Sequence, residues 1–194
     1  MKRVCVFAGS NAGGRPEYAA VARALAAECA ARALGIVYGG GSIGLMGVLA
    51  DAALAAGVEV IGVIPRPLAS KELAHPGLSE LRLVETMHER KATMNVLADG
   101  FIALPGGLGT FEEALEVLTW AQLGIHSKPV GVLNVEGYYD GLLRWLSHAV
   151  GEGFVRREHL GLLLAADTPG ALLDRFAAWT PPAGPRAWLR PSQT

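Results

Sequence analysis

The sequence predicts a doubly wound α/β fold: a parallel sheet with helices on both faces, in a single domain. Three observations predict it. Short apolar, often β-branched runs alternate with longer Ala/Leu-rich runs, the short runs lack polar alternation, and glycines cluster just after them. A strand covered on both faces reads as a continuous apolar run, and parallel neighbours require a crossover helix between them.

The first strand runs from Val4 to Ala8 and stops at Gly9, and a helix follows over Glu17 to Ala33. Gly35 to Tyr38 forms the second strand, Leu45 to Ala56 a helix, and Val58 to Ile64 the third strand. The rhythm resumes with a strand at Leu81 to Val84 and a helix at Met87 to Ala98. Thr86 and Glu89 have the spacing of a capping box at that helix's start. A strand at Phe101 to Leu104, a helix at Thr110 to Leu123, a strand at Val130 to Asn134 and a helix near Tyr138 to Gly151 complete the pattern. With right-handed crossovers, Gly9, Gly13-Gly14, Gly39-Gly40-Gly41 and Gly106-Gly107-Gly109 all fall at the rim formed by the carboxyl ends of the strands. Ligands bind there in such folds.

Composition narrows the function class. The chain has 194 residues, is 51% hydrophobic, and sets 17 Lys+Arg against 18 Asp+Glu for a formal charge of −1. That balance carries neither the basic excess of a nucleic-acid binder nor the low hydrophobicity of a disordered chain. The apolar start Val4 to Ala8 is too short for a signal peptide. The stretch Leu45 to Ile64 is broken by Asp51, Glu59 and glycines, so no membrane span is expected. Two cysteines without CxxC spacing, Cys5 and Cys29, indicate a reducing, cytoplasmic compartment. Residues 1–179 read as one nucleotide-binding catalytic domain, and 180–194 as a mobile Pro-rich tail.

Gly39-Gly40-Gly41-Ser42-Ile43-Gly44 is a literal G-x-G-x-x-G between a strand and a helix, the Rossmann-like dinucleotide context. The next strand ends Ile64-Pro65-Arg66 with no carboxylate for a ribose, which weakens that reading. An NADP reading could recruit Arg66, so it stays open; the alternative is that Gly40, Gly41 and Gly44 only allow the tight turns and close packing of a pocket-shaping loop.

The second loop is more informative. Pro105-Gly106-Gly107-Leu108-Gly109-Thr110 joins a strand to a helix, so backbone amides freed by glycines meet the positive end of a helix dipole. This suits one phosphate, with Thr110 as an added donor. The absence of Gly-Lys-Ser/Thr excludes a P-loop NTPase. Thr110 and Glu113 also have capping-box spacing, which leaves Glu112 unexplained. Two carboxylates beside a phosphate repel it, so at least one is expected to face chemistry or a cation. Arg90 and Lys91 lie in a helix first turn where the dipole disfavours them, and they supply the cation. No His pair has ligand spacing, and no metal site is expected.

Together, Gly39 to Gly47, Met87-His88-Glu89-Arg90-Lys91 and Pro105-Gly106-Gly107-Leu108-Gly109-Thr110-Phe111-Glu112-Glu113 resemble the Lonely Guy family of cytokinin riboside 5′-monophosphate phosphoribohydrolases. The similarity continues through Thr119 to Pro129 and Asn134 to Tyr139, and covers roughly residues 3–178. It implies hydrolysis of the N-glycosidic bond of N6-modified adenosine 5′-monophosphates to free base and ribose 5-phosphate, with no cofactor. It also implies Arg90, Glu112 and Glu113 as the catalytic set, Glu113 being favoured. Substrate contacts are implied at Glu72, Arg90, Lys91, Gly106, Gly107, Leu108, Gly109, Thr110, Phe111, Glu112 and Thr119. A lysine decarboxylase label, used for members of this family, would call for a Schiff-base lysine. Lys91 alone of Lys2, Lys71, Lys91 and Lys128 lies near the site, without a partner for a pyridinium nitrogen.

Other readings remain at this stage: a general AMP nucleosidase, a non-catalytic nucleotide or cofactor carrier, and an NADP-linked oxidoreductase. Leu115, Leu118, Trp120 and Leu123 spread over more than one face of their helix, which together with the resemblance predicts a homodimer. The expected partner is a small-molecule nucleotide, with no nucleic acid and no membrane.

Overall fold

The computed structural model describes residues 1–69 and 74–181. Strands β1 (Arg3–Phe7), β2 (Gly35–Tyr38), β3 (Val60–Pro65), β4 (Glu80–Val84), β5 (Gly100–Ala103), β6 (Val130–Leu133) and β7 (Leu163–Ala166) form one sheet in the order β4-β3-β2-β1-β5-β6-β7. All six pairings are parallel. The order reverses between β1 and β5, so the crevice that suits a ligand opens beyond the ends of those two central strands.

Side chains along β1 leave alternately to the two faces. Val4 and Val6 join a core with Leu25 and Cys29 of α1 (Pro16–Ala31), Leu49 of α2 (Gly44–Ala55) and Leu172 and Phe176 of α7 (Pro169–Ala178). Cys5 and Phe7 join the other, with Met94 of α4 (Met87–Leu97), Val117 of α5 (Leu108–Gln122) and Tyr139, which precedes α6 (Asp140–Gly151). A one-turn helix, α3 (Arg66–Leu68), follows β3.

The predicted elements are all present, and four differences have physical causes. First, the structure adds β7 and α7 beyond Gly151. The signals are local: Thr168 accepts the amide of Ala171 as N-cap, with Pro169 in the first turn. Second, β4 is an edge strand, and Leu81 and Leu83 are 39% and 42% exposed, so the expectation of two covered faces fails there. Third, α5 starts at Leu108, earlier than the expected Thr110, with Gly107 as N-cap and no side-chain cap. The glycines let the chain turn into the helix early, and Thr110 is not the cap of a box with Glu113. Fourth, α6 begins at Asp140, because a 3₁₀ turn occupies Val135–Gly137. The expected tail falls almost wholly outside the described residues.

Candidate active site

Both glycine loops reach the rim, but they are used differently. In the first, the opening amides of α2 are committed within the protein: the N–H groups of Leu45 and Met46 donate to the Gly9 carbonyl, at 2.9 and 3.4 Å. Gly44 has φ +60°, and a Cβ there would lie 2.3 Å from the Ser10 carbonyl carbon. The same loop is tied down by the Tyr38 hydroxyl, which donates to the Gly41 carbonyl, and by the His75 amide, which donates to Gly40. Gly40, Gly41 and Gly44 therefore hold the loop after β2 against the loop after β1. No helix N-terminus is left there for a pyrophosphate.

The second loop keeps its amides open. Since α5 has no side-chain cap, the first-turn amides of Leu108, Gly109 and Thr110 have no partner within the helix, beside Gly106 and Gly107. The Phe111 amide instead bonds the Gly107 carbonyl, and its ring packs on Tyr138 and Tyr139. Thr110 is nearly buried, and its hydroxyl sits where a Cβ on Gly106 would be, 2.1 Å away. The loop is held by the Gly9 amide donating to Pro105 and by the Tyr138 hydroxyl donating to Gly106. A cavity of about 250 Å³ lies against it, lined also by Ser10, Asn11, Tyr18 and Tyr138. Those four residues escaped the sequence reading. Gly9, marked as a rim glycine directly after β1, was the available signal for Ser10 and Asn11.

α4 starts as predicted, with Thr86 Oγ1 accepting the Glu89 amide at 3.1 Å, although Glu89 reaches back to the amide of Glu85, not of Thr86. This start aims Arg90 inward. Its Nε donates to the Val63 carbonyl at 3.1 Å, Nη1 lies 3.8 Å from Met87 Sδ, and Nη2 is 3.5 Å from Glu113 Oε1. A Cβ on Gly39 would lie 2.1 Å from Nη2, so any side chain after β2 would displace the guanidinium from this place. Both side chains of the pair are 12% exposed. Burial pushes the Glu113 carboxyl above the usual carboxylate range, and the pull of Arg90 offsets only part of this.

The neighbouring carboxylate serves a different cation. Lys91 Nζ donates to Glu112 Oε1 at 2.6 Å and to Glu116 Oε1 at 2.8 Å. Burial alone would lower the Lys91 ammonium, but these two bonds outweigh it and hold it above its ordinary value. A protonated, doubly paired amine is a poor Schiff-base nucleophile. Glu112 remains about half exposed. The sequence expects at least one of the two adjacent carboxylates to face chemistry or a cation; in the structure Glu113 lies beside Arg90 and Glu112 beside Lys91.

Thr119 is not brought to this pair. It lies farther along α5, its hydroxyl donating to the Leu115 carbonyl, in a groove shared with Leu115, Leu118, Leu143 and Trp145. Glu72 lies outside the described residues. Among the described residues, no group of His, Cys, Asp and Glu could hold a metal ion.

A family model described as "possible lysine decarboxylase" matches residues 46–176. A probable cytokinin riboside 5′-monophosphate phosphoribohydrolase of Oryza sativa subsp. japonica is 50% identical over 180 residues, 93% of this chain and 85% of that protein. A cytokinin riboside 5′-monophosphate phosphoribohydrolase of Arabidopsis thaliana is 48% identical over 93% of this chain and 84% of its own length. Among solved structures, the molybdenum cofactor binding protein of Rippkaea orientalis superposes with a TM-score of 0.68 at 20% identity, covering 92% of this chain and 97% of that one. The molybdenum cofactor carrier protein of Chlamydomonas reinhardtii gives 0.68 at 18%, covering 92% and 99%. At that identity, these structures establish the fold alone.

Proposed function

The chain belongs to the Lonely Guy family of cytokinin riboside 5′-monophosphate phosphoribohydrolases, and from that premise we propose how its residues carry the reaction. It hydrolyses the N-glycosidic bond of N6-modified adenosine 5′-monophosphates, adding water and releasing the free base and ribose 5-phosphate. The observation that carries the residue assignment is the buried Arg90–Glu113 pair beside the reversal point of the sheet.

The single phosphate sits at the N-terminus of α5, against the amides of Gly106, Gly107, Leu108, Gly109 and Thr110. There the helix dipole favours negative charge. The sugar then lies over Gly39 and Gly9, within reach of Glu113. Cleavage develops positive charge on the ribose ring, which the Glu113 carboxylate stabilises. Water adds to the ring carbon as the C–N bond breaks, one of its protons passing to Glu113 and from there to the nitrogen of the departing base. Arg90 holds that carboxylate in place and favours its ionised form, against the burial that raises its pKa. Lys91 is an electrostatic contact for the nucleotide, and Glu112 is its counter-charge. Phe111 supports the loop through its ring packing, and Gly40, Gly41 and Gly44 fix the opposite wall.

We also propose a homodimer built on the groove between α5 and α6. Trp145 is 56% exposed there, beside Leu115, Leu118 and Leu143. Thr119 lies on the same groove, so its contact with substrate is made across the subunit boundary. The buried, unpaired Cys5 and Cys29 support a cytoplasmic setting; burial pushes the Cys29 thiol up to about 12. The near-neutral charge favours a small-molecule partner over nucleic acid.

The test is base release from N6-isopentenyl-AMP beside AMP, followed by chromatography of free base and ribose 5-phosphate. Preference for the isopentenyl nucleotide supports the assignment. Equal turnover makes the protein a general nucleosidase, and binding without turnover makes it a carrier. A monomeric mass in solution removes the dimer.

A further inference from the structure

A small, partly enclosed cavity lies beside Glu113, between α4, α5 and strands β1 and β5. Phe7, Met94 and Phe101 give it apolar walls, and Lys91, Glu113 and Glu116 give it polar ones. Its volume is about 10 Å³, the size that admits one water molecule. Glu116 lines this space and has an unfinished set of bonds. Its Oε1 accepts from Lys91 at 2.8 Å, while Oε2 is buried and no protein donor reaches it. A buried carboxylate oxygen without a donor is costly, and such atoms are ordinarily satisfied by protein or by ordered water.

The complementary groups line the same cavity. An ammonium has three N–H donors, and Glu112 and Glu116 take two of those on Lys91. Glu113 is buried, and its charged partner Arg90 stands off at 3.5 Å. One water in the cavity can accept the third Lys91 N–H and donate its two O–H bonds to Glu116 Oε2 and to Glu113. Three bonds of that kind are typical of a buried water.

We propose that Glu116 is a positioning residue of this site: it anchors Lys91 directly and, through one bound water, fixes the orientation of the Glu113 carboxylate beneath the sugar. Glu116 touches no substrate in this arrangement. It decides which rotamer Glu113 adopts and gives that buried carboxylate a second donor besides Arg90. The charged groups facing Glu113 are then Arg90, Lys91, Glu112 and Glu116, with the Cys5 thiol on the β1 side. The kinetic part of this inference rests on Glu113 acting as proposed above; the structural part does not.

Two measurements test it. A high-resolution crystal structure of the free protein should show one water about 3 Å from both Glu113 and Glu116 Oε2; a dry cavity, or a Glu113 turned away from it, overturns the proposal. In kinetics, Glu116→Leu removes the acceptor and fills the space, and should lower kcat about tenfold or more while KM stays within about twofold. Glu116→Gln keeps an acceptor for Lys91 and a polar group on the water, and should keep kcat within about threefold of the parent. A Gln variant as impaired as the Leu variant, or a Leu variant as active as the parent, overturns the positioning role. If the parent itself releases no base from any 5′-nucleotide, the function assigned above fails, and the crystal structure alone decides on the water.

Discussion

Arg90 Nη2 lies 3.5 Å from Glu113 Oε1, and the two residues come from different helices, Arg90 from the first turn of α4 and Glu113 from the second turn of α5. The guanidinium passes over Gly39 at the end of β2 and is steadied by the Val63 carbonyl within β3. A cation in the first turn of α4 opposes that helix's dipole, and a buried carboxylate in α5 opposes its own desolvation. Each is tolerated because the other is there.

Glu113→Gln removes the proposed base while preserving shape, and should lower kcat by about 100-fold or more; it also leaves Arg90 buried without its counter-charge, so the melting temperature should fall. Arg90→Ala should lower it comparably and leave Glu113 buried without its cation. Chromatographic base release and a melting curve measure both. A fully active Glu113→Gln enzyme would move the base role to Glu112.

The acid limb of the kcat profile should lie above the ordinary carboxylate value of 4.5, because burial raises the Glu113 carboxyl. Activity is present where Glu113 is ionised and is lost as pH falls through its raised pKa. Arg90 lowers that pKa, so Arg90→Lys, if it stands farther off, should move the limb upward. A limb at or below the ordinary value would rule out Glu113 as the titrating group.

Gly44→Ala should destabilise the fold by more than about 2 kcal/mol, since it combines a strained positive φ with a backbone clash. Its φ is +60°, and the added Cβ would meet the backbone of Ser10 and Asn11. Gly109→Ala, at an open position, should fold normally. Urea unfolding of the two variants makes the comparison.

Stability should fall as pH drops from about 6.5 towards 4. Burial lowers His126 from 6.5 to about 4 in the folded chain, with Nε2 donating to the Val117 carbonyl and Nδ1 accepting the Lys128 amide. In that window the unfolded chain binds a proton that the folded one does not, so unfolding takes up a proton and acid favours it. Urea midpoints measured across this range should slope accordingly, and His126→Gln should flatten the slope.

Trp145→Glu places a charge in the α5–α6 groove and should convert the proposed dimer to monomer, read by light scattering. Unchanged mass with unchanged turnover would locate the subunit contact elsewhere.

Local sequence determined a great deal here. Alternating apolar runs set the sheet and its crossovers, Thr86 set the start of α4, and the glycines after β1, β2 and β5 marked the rim where the proposed site lies. Such signals act over a few residues and depend on backbone freedom, capping and burial period. The motif spacing also marked Arg90, Lys91, Glu112 and Glu113 as one constellation. Tertiary structure decided which carboxylate meets which cation, because adjacent residues on a helix point about 100° apart and only packing says what lies in each direction. It alone showed that the α2 amides are committed to Gly9 while those of α5 stay open, that Ser10, Asn11 and Tyr138 join the crevice, and that Thr119 lies away from Glu113. Glu116 was invisible beforehand, since a third acid on a helix reads as solvated surface until its burial is known.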